Sequence, residues 1–301
     1  MGSCLTPLHA DTIFGGLCWT LKYSEGEGAL SNFLSLYRNG LPPLVISNGF
    51  PGDLFPRPLL PLKKGSLPTS RLELIAAAKE GKRVKKIEYI TLEEFITLAS
   101  GRDIMLLSRE KPFMETVTLH NQINRLTGTT GEEGSLYEQV ERYIHTDYSH
   151  LSIYLKISRG WEEKVLRLFQ LLGETGLGKR KSIGKGSFSV VALEEFKAFN
   201  DLDQANGFIS LSNFVPAGDD PVDGRYRMIV KYGKLGEEYA LSALPFKRPL
   251  LMIRAGSAFR TTGNIKPFYG KMVEGIAPGH PGVLHYGLAF AVPTRMEEAR
   301  C

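Results

Sequence analysis

Residues 176–186 restrict the fold more than any other part of the sequence, because this segment cannot belong to a helix or a central strand. It contains four glycines and four basic residues, and it has no carboxylate. Glycine weakens helices and strands, but it lets a loop turn tightly and lets backbone amides approach an anion. Lysine and arginine add charge-assisted hydrogen bonds to phosphate oxygens. The segment is therefore predicted to be a loop that faces phosphate, and a nucleotide and an RNA backbone both fit it.

The flanking residues decide how well a nucleotide-binding P-loop fits. Residues 173–179 have the spacing GxxxxGK, but position 180 is Arg, where a P-loop has the Ser or Thr that binds magnesium. A P-loop also follows a strand and precedes a helix. Here residues 161–172 have the apolar spacing of a helix, and residues 188–193 are β-branched and apolar, which predicts a strand. This reversed order argues against an ATPase, and a flexible basic loop without a ligand is a further alternative.

The composition is that of an ordinary globular protein. The chain has 301 residues, enough for two modest domains, and 37 basic against 32 acidic residues give a net charge of +5. Its three cysteines, Cys4, Cys18 and Cys301, have no spacing typical of a disulfide framework or a zinc site. The sequence shows neither a signal pattern nor an apolar run long enough for a membrane helix. We expect a cytoplasmic protein without a metal or cofactor, in which a polyanionic partner is allowed but not required.

Helices and strands can be placed along much of the chain. Residues 11–21 have apolar residues at helical spacing, and Asp11 can cap this helix. Residues 82–90 alternate like a strand, and Thr91 begins a capping-box pattern that opens a short helix. Residues 207–293 contain several strand-like runs. The second part of the chain is therefore predicted to be a smaller α+β domain.

Residues 113–136 differ from the rest of the chain in composition. Hydrogen-bonding side chains dominate this segment, and it has only a few apolar anchors. Such a segment cannot form a core by itself, so it is predicted to be a protruding hairpin or loop.

Several segments, in their order along the chain, together resemble one protein family. They are HADTIFGGL at 9–17, FPRP at 55–58, the segment 121–131, the glycine-rich loop 176–186, AGSAF at 255–259 and GHPGVLHYG at 279–287. This set resembles the repeat-associated (RAMP) subunits of CRISPR effector complexes. Within that family it is most similar to the subunit of type III-A (Csm) complexes that holds the 5′ end of the guide RNA. The resemblance spans nearly the whole chain and implies a role in antiviral defence.

The resemblance implies an α+β fold with two ferredoxin-like (RRM-like) domains. The first domain, 1–193, would carry a thumb-like hairpin at about 113–136 and the glycine-rich loop 176–186, and the second would span 205–301. Family members usually have a strand before the segment that begins here at His9. We therefore expect either that the first domain lacks an edge or central strand, or that the sequence starts late.

The resemblance also implies which residues contact RNA. In the family, the glycine-rich loop grips the repeat-derived 5′ handle of the CRISPR RNA (crRNA), and the thumb leans on the RNA where handle and guide meet. The loop residues expected at the handle are Gly176, Gly178, Lys179, Arg180, Lys181, Ser182, Gly184, Lys185 and Gly186. The thumb candidates are His120, Asn121, Arg125, Thr127, Thr129 and Thr130, and a further candidate is His9. The implied partners are the crRNA, a large polymerase-like subunit, an adjacent backbone RAMP subunit and, indirectly, the target RNA.

Catalysis is the open question at this point, because some relatives in the superfamily are endoribonucleases that process precursor crRNA with a histidine as general acid or base. The six histidines show no spacing typical of a metal site or an activated nucleophile, so no catalytic residue is predicted. A non-catalytic RNA-binding subunit is favoured. The alternative is a metal-independent nuclease that uses His120 or His9.

Overall fold

The computed structural model of the chain describes residues 3–4, 8–60, 70–121, 123–130, 136–178, 181, 184–200, 202 and 204–296. The helices among them are α1 (Ala10–Glu25), α2 (Glu27–Arg38), α3 (Arg71–Lys86), α4 (Leu92–Ala99), α5 (Glu162–Thr175) and a short 3-10 helix at Glu237–Leu241. The strands are β1 (Ser3–Cys4), β2 (Leu44–Pro51), β3 (Phe55–Pro56), β4 (Tyr89–Ile90), β5 (Phe113–Asn121), β6 (Leu136–Ile144), β7 (Leu151–Ile157), β8 (Gly207–Ser210), β9 (Gly224–Arg225), β10 (Met228–Lys231), β11 (Leu250–Ile253), β12 (Ala258–Arg260), β13 (Phe268–Gly270) and β14 (Leu288–Thr294).

The strands form several small antiparallel sheets, so the chain is a mixed α+β protein, as its sequence predicts. Strand β2 pairs with β7, and the register shifts between Ile46 and Gly49. Strands β5 and β6 form a long hairpin, and β1 pairs with the outer edge of β6. A five-stranded sheet in the second part of the chain has the order β13-β14-β8-β12-β9. Two further antiparallel pairs are β10 with β11 and β3 with β4.

A first hydrophobic core lies between strand β2 and the helices α1, α2 and α5. Helix α1 contributes Ile13, Phe14, Leu17 and Leu21, and each of these side chains is at most 1% exposed. Their spacing of three and four residues places them on one face of the helix, which is why the helix packs on that side. Tyr286, from the C-terminal part of the chain, belongs to the same core.

The early and late parts of the chain are therefore buried together. The backbone N–H of Ile46 in β2 donates a 2.8 Å hydrogen bond to the hydroxyl of Tyr286, whose side chain is 1% exposed. A second core likewise combines Phe50 with Ile209 and Phe290. Each part completes the hydrophobic interior of the other.

Four local predictions from the sequence are confirmed. The helices predicted at 11–21 and 161–172 correspond to α1 and α5. Thr91 and Glu94 form a complete capping box at the start of α4. The protruding hairpin predicted at 113–136 is formed by β5 and β6 and continues to the end of β6.

The strand predicted at 82–90 is wrong for most of its length. Helix α3 runs through Lys86, and only the last two residues of the prediction form a strand, β4. The helix begins at a capping box in which the Ser70 hydroxyl accepts from the backbone N–H of Glu73 at 3.2 Å. The alternation of basic and apolar residues in this segment therefore belongs to the last turns of a helix.

The strand predicted at 188–193 is also wrong, because these residues have no regular secondary structure. The backbone N–H of Phe188 donates to the carbonyl of Gly173 at 3.1 Å, so the segment packs against the end of α5 instead of joining a sheet. A Cβ at Gly173 would clash with the Phe188 carbonyl oxygen, and glycine at this position allows the close approach.

The position of β1 bears on the strand that was expected before His9. Strand β1 pairs with β6 of the hairpin, with Ser3 opposite Tyr143 and Cys4 opposite Arg142. Among the described residues, the sheet that α1 and α5 cover has two strands, β2 and β7. The short N-terminal strand thus widens the base of the hairpin.

Candidate nucleic-acid interface

The glycine-rich loop begins where α5 ends. Gly176 has a φ of +80°, and its N–H donates to the Leu172 carbonyl at 2.8 Å. The loop then folds back, since the N–H of Leu177 donates to the carbonyl of Gly186 at 3.0 Å. A Cβ at Gly186, where φ is +83°, would clash with the Leu177 carbonyl oxygen, so this turn requires glycine. Positive φ angles recur at Gly178 and Gly184. Three predicted contacts lie outside the described residues: Lys179, Arg180 and Ser182.

The two described cations of this loop are held by carboxylates on other elements. Lys185 pairs with Glu141 on β6, and the other oxygen of Glu141 accepts a 2.6 Å hydrogen bond from the Tyr143 hydroxyl. Lys181 pairs with Glu237, at the start of the 3-10 helix. The bond from Lys185 lowers the pKa of Glu141, and burial lowers the pKa of Lys181. The loop is thereby attached to the hairpin on one side and to the later part of the chain on the other.

The hairpin of β5 and β6, which we call the thumb hairpin, carries its predicted RNA contacts at the far end. Nine register pairs run from Phe113 opposite Ile144 to Asn121 opposite Leu136, where the ladder ends. Beyond it, the hydroxyls of Thr127 and Thr129 lie 2.9 Å apart. The predicted contacts at this tip are all exposed: Asn121, Arg125, Thr127, Thr129 and Thr130.

His120 lies just before the tip. Its ring stacks on Tyr137 across the ladder with centroids 5.5 Å apart, and its Nε2 is 3.2 Å from the Thr118 hydroxyl. These contacts fix the ring on the side of the hairpin. The described contacts of the ring are to a phenol and a hydroxyl. Glu141 lies near enough for the imidazole to contribute to lowering the pKa of that carboxyl.

The structure does not bring the glycine-rich loop and the thumb tip together. The loop contacts the hairpin through Glu141, which is opposite Thr116 in the ladder. The tip begins five residues further along β5, at Asn121, which corresponds to about 17 Å along a strand. An RNA that contacts both elements must therefore run along the hairpin.

A cleft beside the base of the thumb hairpin has a strongly basic lining. Gly49, Phe50 and Phe113 form part of its walls. The titratable residues of the lining are Arg57, Arg142, Arg227, Arg254, Glu88, His9 and Tyr89. Four arginines against one glutamate make this cleft attractive to an anion, and we call it the arginine cleft.

Two of these arginines are held by acceptors within the protein. The Arg57 Nε donates to the carbonyl of Ile87 at 2.9 Å. Arg142 pairs with Glu115 at 2.6 Å, and its guanidinium lies over the Phe113 ring, 5.3 Å from the centroid. Their positions in the wall are therefore set before any ligand arrives.

The arginine cleft is the meeting point of segments that carried the family resemblance. His9, Arg57 and Ala255 come from three of those segments, and all three line the cleft. The N–H of Leu59 donates to the carbonyl of Gly256 at 2.8 Å, which ties two of the segments together. Their shared location gives them a common structural role that sequence alone did not show.

Sequence reasoning missed most of this cleft. Only His9 was among the predicted site residues, and the four arginines were absent from that set. A signal existed for Arg57, which belongs to the FPRP segment, and for the AGSAF segment that directly follows Arg254. Arg142 and Arg227 stand in segments without a distinctive pattern, so only the fold could reveal them.

Asp11 does not cap helix α1, contrary to the sequence prediction. His9 occupies the N-cap position, and the N–H of Ala10 donates to Asn48 Oδ1 at 2.9 Å. The carboxylate of Asp11 is 5% exposed and pairs instead with Lys231 of β10. This ion pair joins the start of the first helix to the later part of the chain.

Two histidines around this ion pair are neutral. The Nδ1 of His9 accepts from the Lys231 ammonium at 3.4 Å, and the Nδ1 of His285 accepts from the Lys247 ammonium at 3.4 Å. Burial is the main cause that lowers the pKa of each ring to about 4, and the nearby lysines add to it. Near neutral pH, His9 can therefore offer RNA a hydrogen bond but no charge.

His9, one of the two histidines of the nuclease alternative, is a poor candidate for a general acid. A ring with a pKa near 4 is not protonated at pH 7, so His9 is unsuited to act as a general acid. Within the described ranges, no three His, Cys, Asp or Glu side chains lie where they could hold a metal ion. The helix α5 also precedes the glycine-rich loop, which is the reverse of the order in a P-loop.

Comparisons with known proteins identify the fold. No protein-family model and no curated protein matches the sequence. Among solved structures, a chain of a Csm1–Csm4 cassette in complex with pppApApA is 20% identical, with a TM-score of 0.64, and the match covers 99% of this chain and 96% of that one. A chain of the Csm3–Csm4 subcomplex of a type III-A CRISPR-Cas interference complex is 15% identical, with a TM-score of 0.61, covering 96% and 94%.

Csm4 is the subunit that these two assemblies have in common. The chain has a Csm4-like fold. Because the match extends over nearly the full length of both chains, it includes the thumb hairpin, the glycine-rich loop and the C-terminal sheet. In the described part of the chain, no helix is both long and apolar enough to span a bilayer.

Proposed function

We propose that this chain is a non-catalytic RNA-binding subunit of a type III-A CRISPR interference complex, in which it caps the repeat-derived 5′ handle of the crRNA. The Csm4-like fold supports membership in such a complex. The proposed neighbours are a large polymerase-like subunit and an adjacent backbone RAMP subunit, since the similar structures are complexes with Csm1 and with Csm3. Contact with target RNA is indirect, through these partners.

The observation that carries this proposal is the attachment of the glycine-rich loop to the thumb hairpin. Lys185 of the loop pairs with Glu141 of β6, so the loop is joined to the hairpin whose far end carries the other predicted RNA contacts. The loop glycines adopt positive φ angles and have no side chains, so an anion can approach the backbone of the loop closely. The proposed contacts are the loop residues, including Lys179, Arg180 and Ser182, the tip residues of the thumb, His120 and His9.

The domain division is part of the same proposal. Residues 1–193 would form the first ferredoxin-like domain, with β2, β7, α1 and α5 at its centre. Residues 205–301 would form the second, around the five-stranded sheet. The shared cores make the boundary between them a buried hydrophobic contact.

An apolar stripe on the thumb hairpin supports assembly with a partner subunit. Val117 lies opposite Val140 in the ladder, and Leu119 follows on the same face, yet these side chains are 55%, 51% and 65% exposed. Leu126 at the tip is 98% exposed. Clustered exposed apolar side chains of this kind mark surfaces that another protein covers.

The test is binding of labelled single-stranded RNA that carries a repeat-derived 5′ handle, measured by anisotropy over a salt series with the full chain, alone and with its partner subunits. Handle RNA is expected to bind more tightly than a scrambled RNA and to stay intact on a gel. The double variant Lys181→Gln/Lys185→Gln should reduce the log–log salt slope by about 1.4, since each phosphate contact to single strands contributes about 0.7. The charge-matched control is Lys82→Gln/Lys197→Gln, away from the loop.

Two results contradict the proposal in different ways. Metal-independent cleavage that His120→Ala or His9→Ala abolishes would establish the processing nuclease instead. A loop variant that binds with the affinity and slope of the control would place the RNA elsewhere on the surface.

A further inference from the structure

Two cations of the arginine cleft, which is also lined by Glu88, have no carboxylate in ion-pair contact among the described residues. Arg227 and Arg254 lie side by side at the end of the β10–β11 pair, where the N–H of Arg254 donates to the carbonyl of Arg227 at 2.8 Å. Neither guanidinium has an ion pair or a side-chain hydrogen bond to another described residue. Like charges on opposed strand positions repel each other, so an anion between them removes an unfavourable contact.

A second and independent observation is an unpartnered donor in the wall of the same cleft. The side chain of Asn213 is 1% exposed, and its Nδ2 has no acceptor among the described residues. Its Oδ1 accepts from the N–H of Ala255 at 3.0 Å and from Asn48 Nδ2 at 3.2 Å, so the amide is oriented by its oxygen. A buried donor without an acceptor is costly, and a ligand oxygen in the cleft would satisfy it.

The electrostatics of the walls agree with these two observations. Burial and the neighbouring Arg227 lower the pKa of Arg57, and burial, Lys231 and Arg254 lower the pKa of His9. Positive charge is therefore crowded in this region. A bound anion would relieve that crowding.

The cleft and the glycine-rich loop lie on opposite sides of one strand. Glu141 and Arg142 are consecutive residues of β6, and consecutive strand residues point to opposite faces. Glu141 faces the loop through Lys185, and Arg142 lines the cleft. A strand of RNA that leaves the loop can thus reach the cleft by passing around the base of the thumb hairpin.

We propose that the arginine cleft binds a phosphodiester of single-stranded RNA, with Arg227 and Arg254 on its phosphate oxygens and the Asn213 amide donating to a phosphate or base oxygen. This inference rests on the proposed function and extends the RNA site to the other side of the hairpin. A phosphate of RNA is preferred over a free nucleotide because the cleft adjoins the loop through β6. Arg227 and Arg254 are exposed, so they can contact the phosphates of an RNA strand that runs across the opening of the cleft.

The experiment uses the full chain with its partner subunits. It compares Arg227→Gln/Arg254→Gln with a charge-matched control, Arg159→Gln/Arg167→Gln, whose residues lie just before α5 and within it. Anisotropy of labelled handle RNA over a salt series is the main readout. The cleft variant is expected to bind at least about tenfold more weakly, the effect of losing charge-assisted hydrogen bonds, with a salt slope lower by about 0.7 for each phosphate lost. Arg227→Lys/Arg254→Lys should keep most of the slope, since it keeps the charge.

Further arms separate this inference from the proposed function. If the wild-type complex binds no handle RNA even at low salt, the proposed function fails, and this inference fails with it. If the wild type binds and the folded cleft variant matches the control in affinity and slope, only the cleft assignment is overturned. Saturable binding of ATP to the cleft that handle RNA does not compete would also overturn it, in favour of a nucleotide site.

Discussion

Lowering the pH from 7 to 5 is expected to destabilise the folded chain, because His9 and His285 are held neutral. Both rings have a pKa of about 4 in the folded state, chiefly through burial, against the ordinary value of 6.5. Between about pH 6.5 and pH 4, the unfolded chain binds protons that the folded chain does not, so stability falls as the pH falls. Well above pH 6.5 the rings are neutral in both states and contribute no pH dependence.

The charged groups around the two rings keep their charge through this window. The ammonium groups of Lys231 and Lys247 donate to the rings, and Arg254 and Arg142 lie near His9. Burial raises the pKa of Asp11, but Lys231 and its neighbours outweigh that effect and hold it below its ordinary 3.8. The carboxylate therefore stays ionised, and the histidines dominate the pH response.

The magnitude follows from the two pKa values. A histidine with a pKa of 6.5 when unfolded and about 4 when folded destabilises the native state by about 2 kcal/mol at pH 5 relative to pH 7. The sum for the two rings is a loss of up to about 4 kcal/mol, a large part of the roughly 5–15 kcal/mol by which domains are stable.

Urea unfolding at pH 7, 6 and 5, followed by the fluorescence of Trp19 and Trp161, measures this loss. His285→Gln should remove about half of the pH dependence, and His9→Gln/His285→Gln should remove most of it. His150→Gln, at an exposed position, is the control for the substitution itself. A wild-type unfolding free energy that is equal at pH 7 and pH 5, or a double variant that keeps the full loss, refutes the reasoning.

Three further predictions concern other contacts. Glu141→Gln weakens the attachment of the glycine-rich loop to the thumb hairpin and is expected to lower the affinity for handle RNA below that of the charge-matched Glu138→Gln; equal or tighter binding would show that this ion pair does not position the loop for RNA. Tyr286→Phe leaves the N–H of Ile46 without its acceptor and should lower the free energy of unfolding by about 1–3 kcal/mol, and a neutral effect in urea titration would contradict this. Thr91→Ala removes the cap of α4 and should cost about 1 kcal/mol in the same assay, whereas an unchanged midpoint would mean that the cap is dispensable.

The parts of the fold that sequence predicted are those in which local signals and burial agree. Helix α1 has an apolar face at helical spacing, and that face is fully buried. Residues 113–136 have few apolar anchors for their length, so they were predicted to protrude as a hairpin or loop. The backbone of the glycine-rich loop has positive φ angles and close contacts at Gly176 and Gly186, which require glycine. The glycine content of the segment therefore predicted its loop conformation.

The errors arose where one local pattern had two physical explanations. Residues 82–90 alternate as a strand does, but the capping box at Ser70 starts a helix that continues through them. Residues 188–193 have the composition of a strand. The backbone N–H of Phe188, however, donates to the carbonyl of Gly173 at the end of α5 instead of to a neighbouring strand. Such outcomes depend on tertiary contacts, which a window of sequence does not contain.

The arginine cleft was beyond sequence reasoning for a different reason. Arg57, Arg142, Arg227 and Arg254 come from four separate segments, and each alone resembles an ordinary surface cation. Only the pairing of β10 with β11 and the position of β6 bring them to one place. The residues that do have a recognisable motif, around Arg57 and Ala255, form the walls that hold this arrangement.

The hydrogen bond from Ile46 to Tyr286 spans 240 positions of sequence. When α1 and β2 have left the ribosome, Tyr286, which closes the core around them, has therefore not yet been synthesised. Until synthesis passes Leu288, part of the apolar face of α1 stays open to water and to chaperones. The first core is thus expected to close only once Tyr286 and Leu288 have been synthesised, and its RNA and partner subunits can meet a finished surface only after that step.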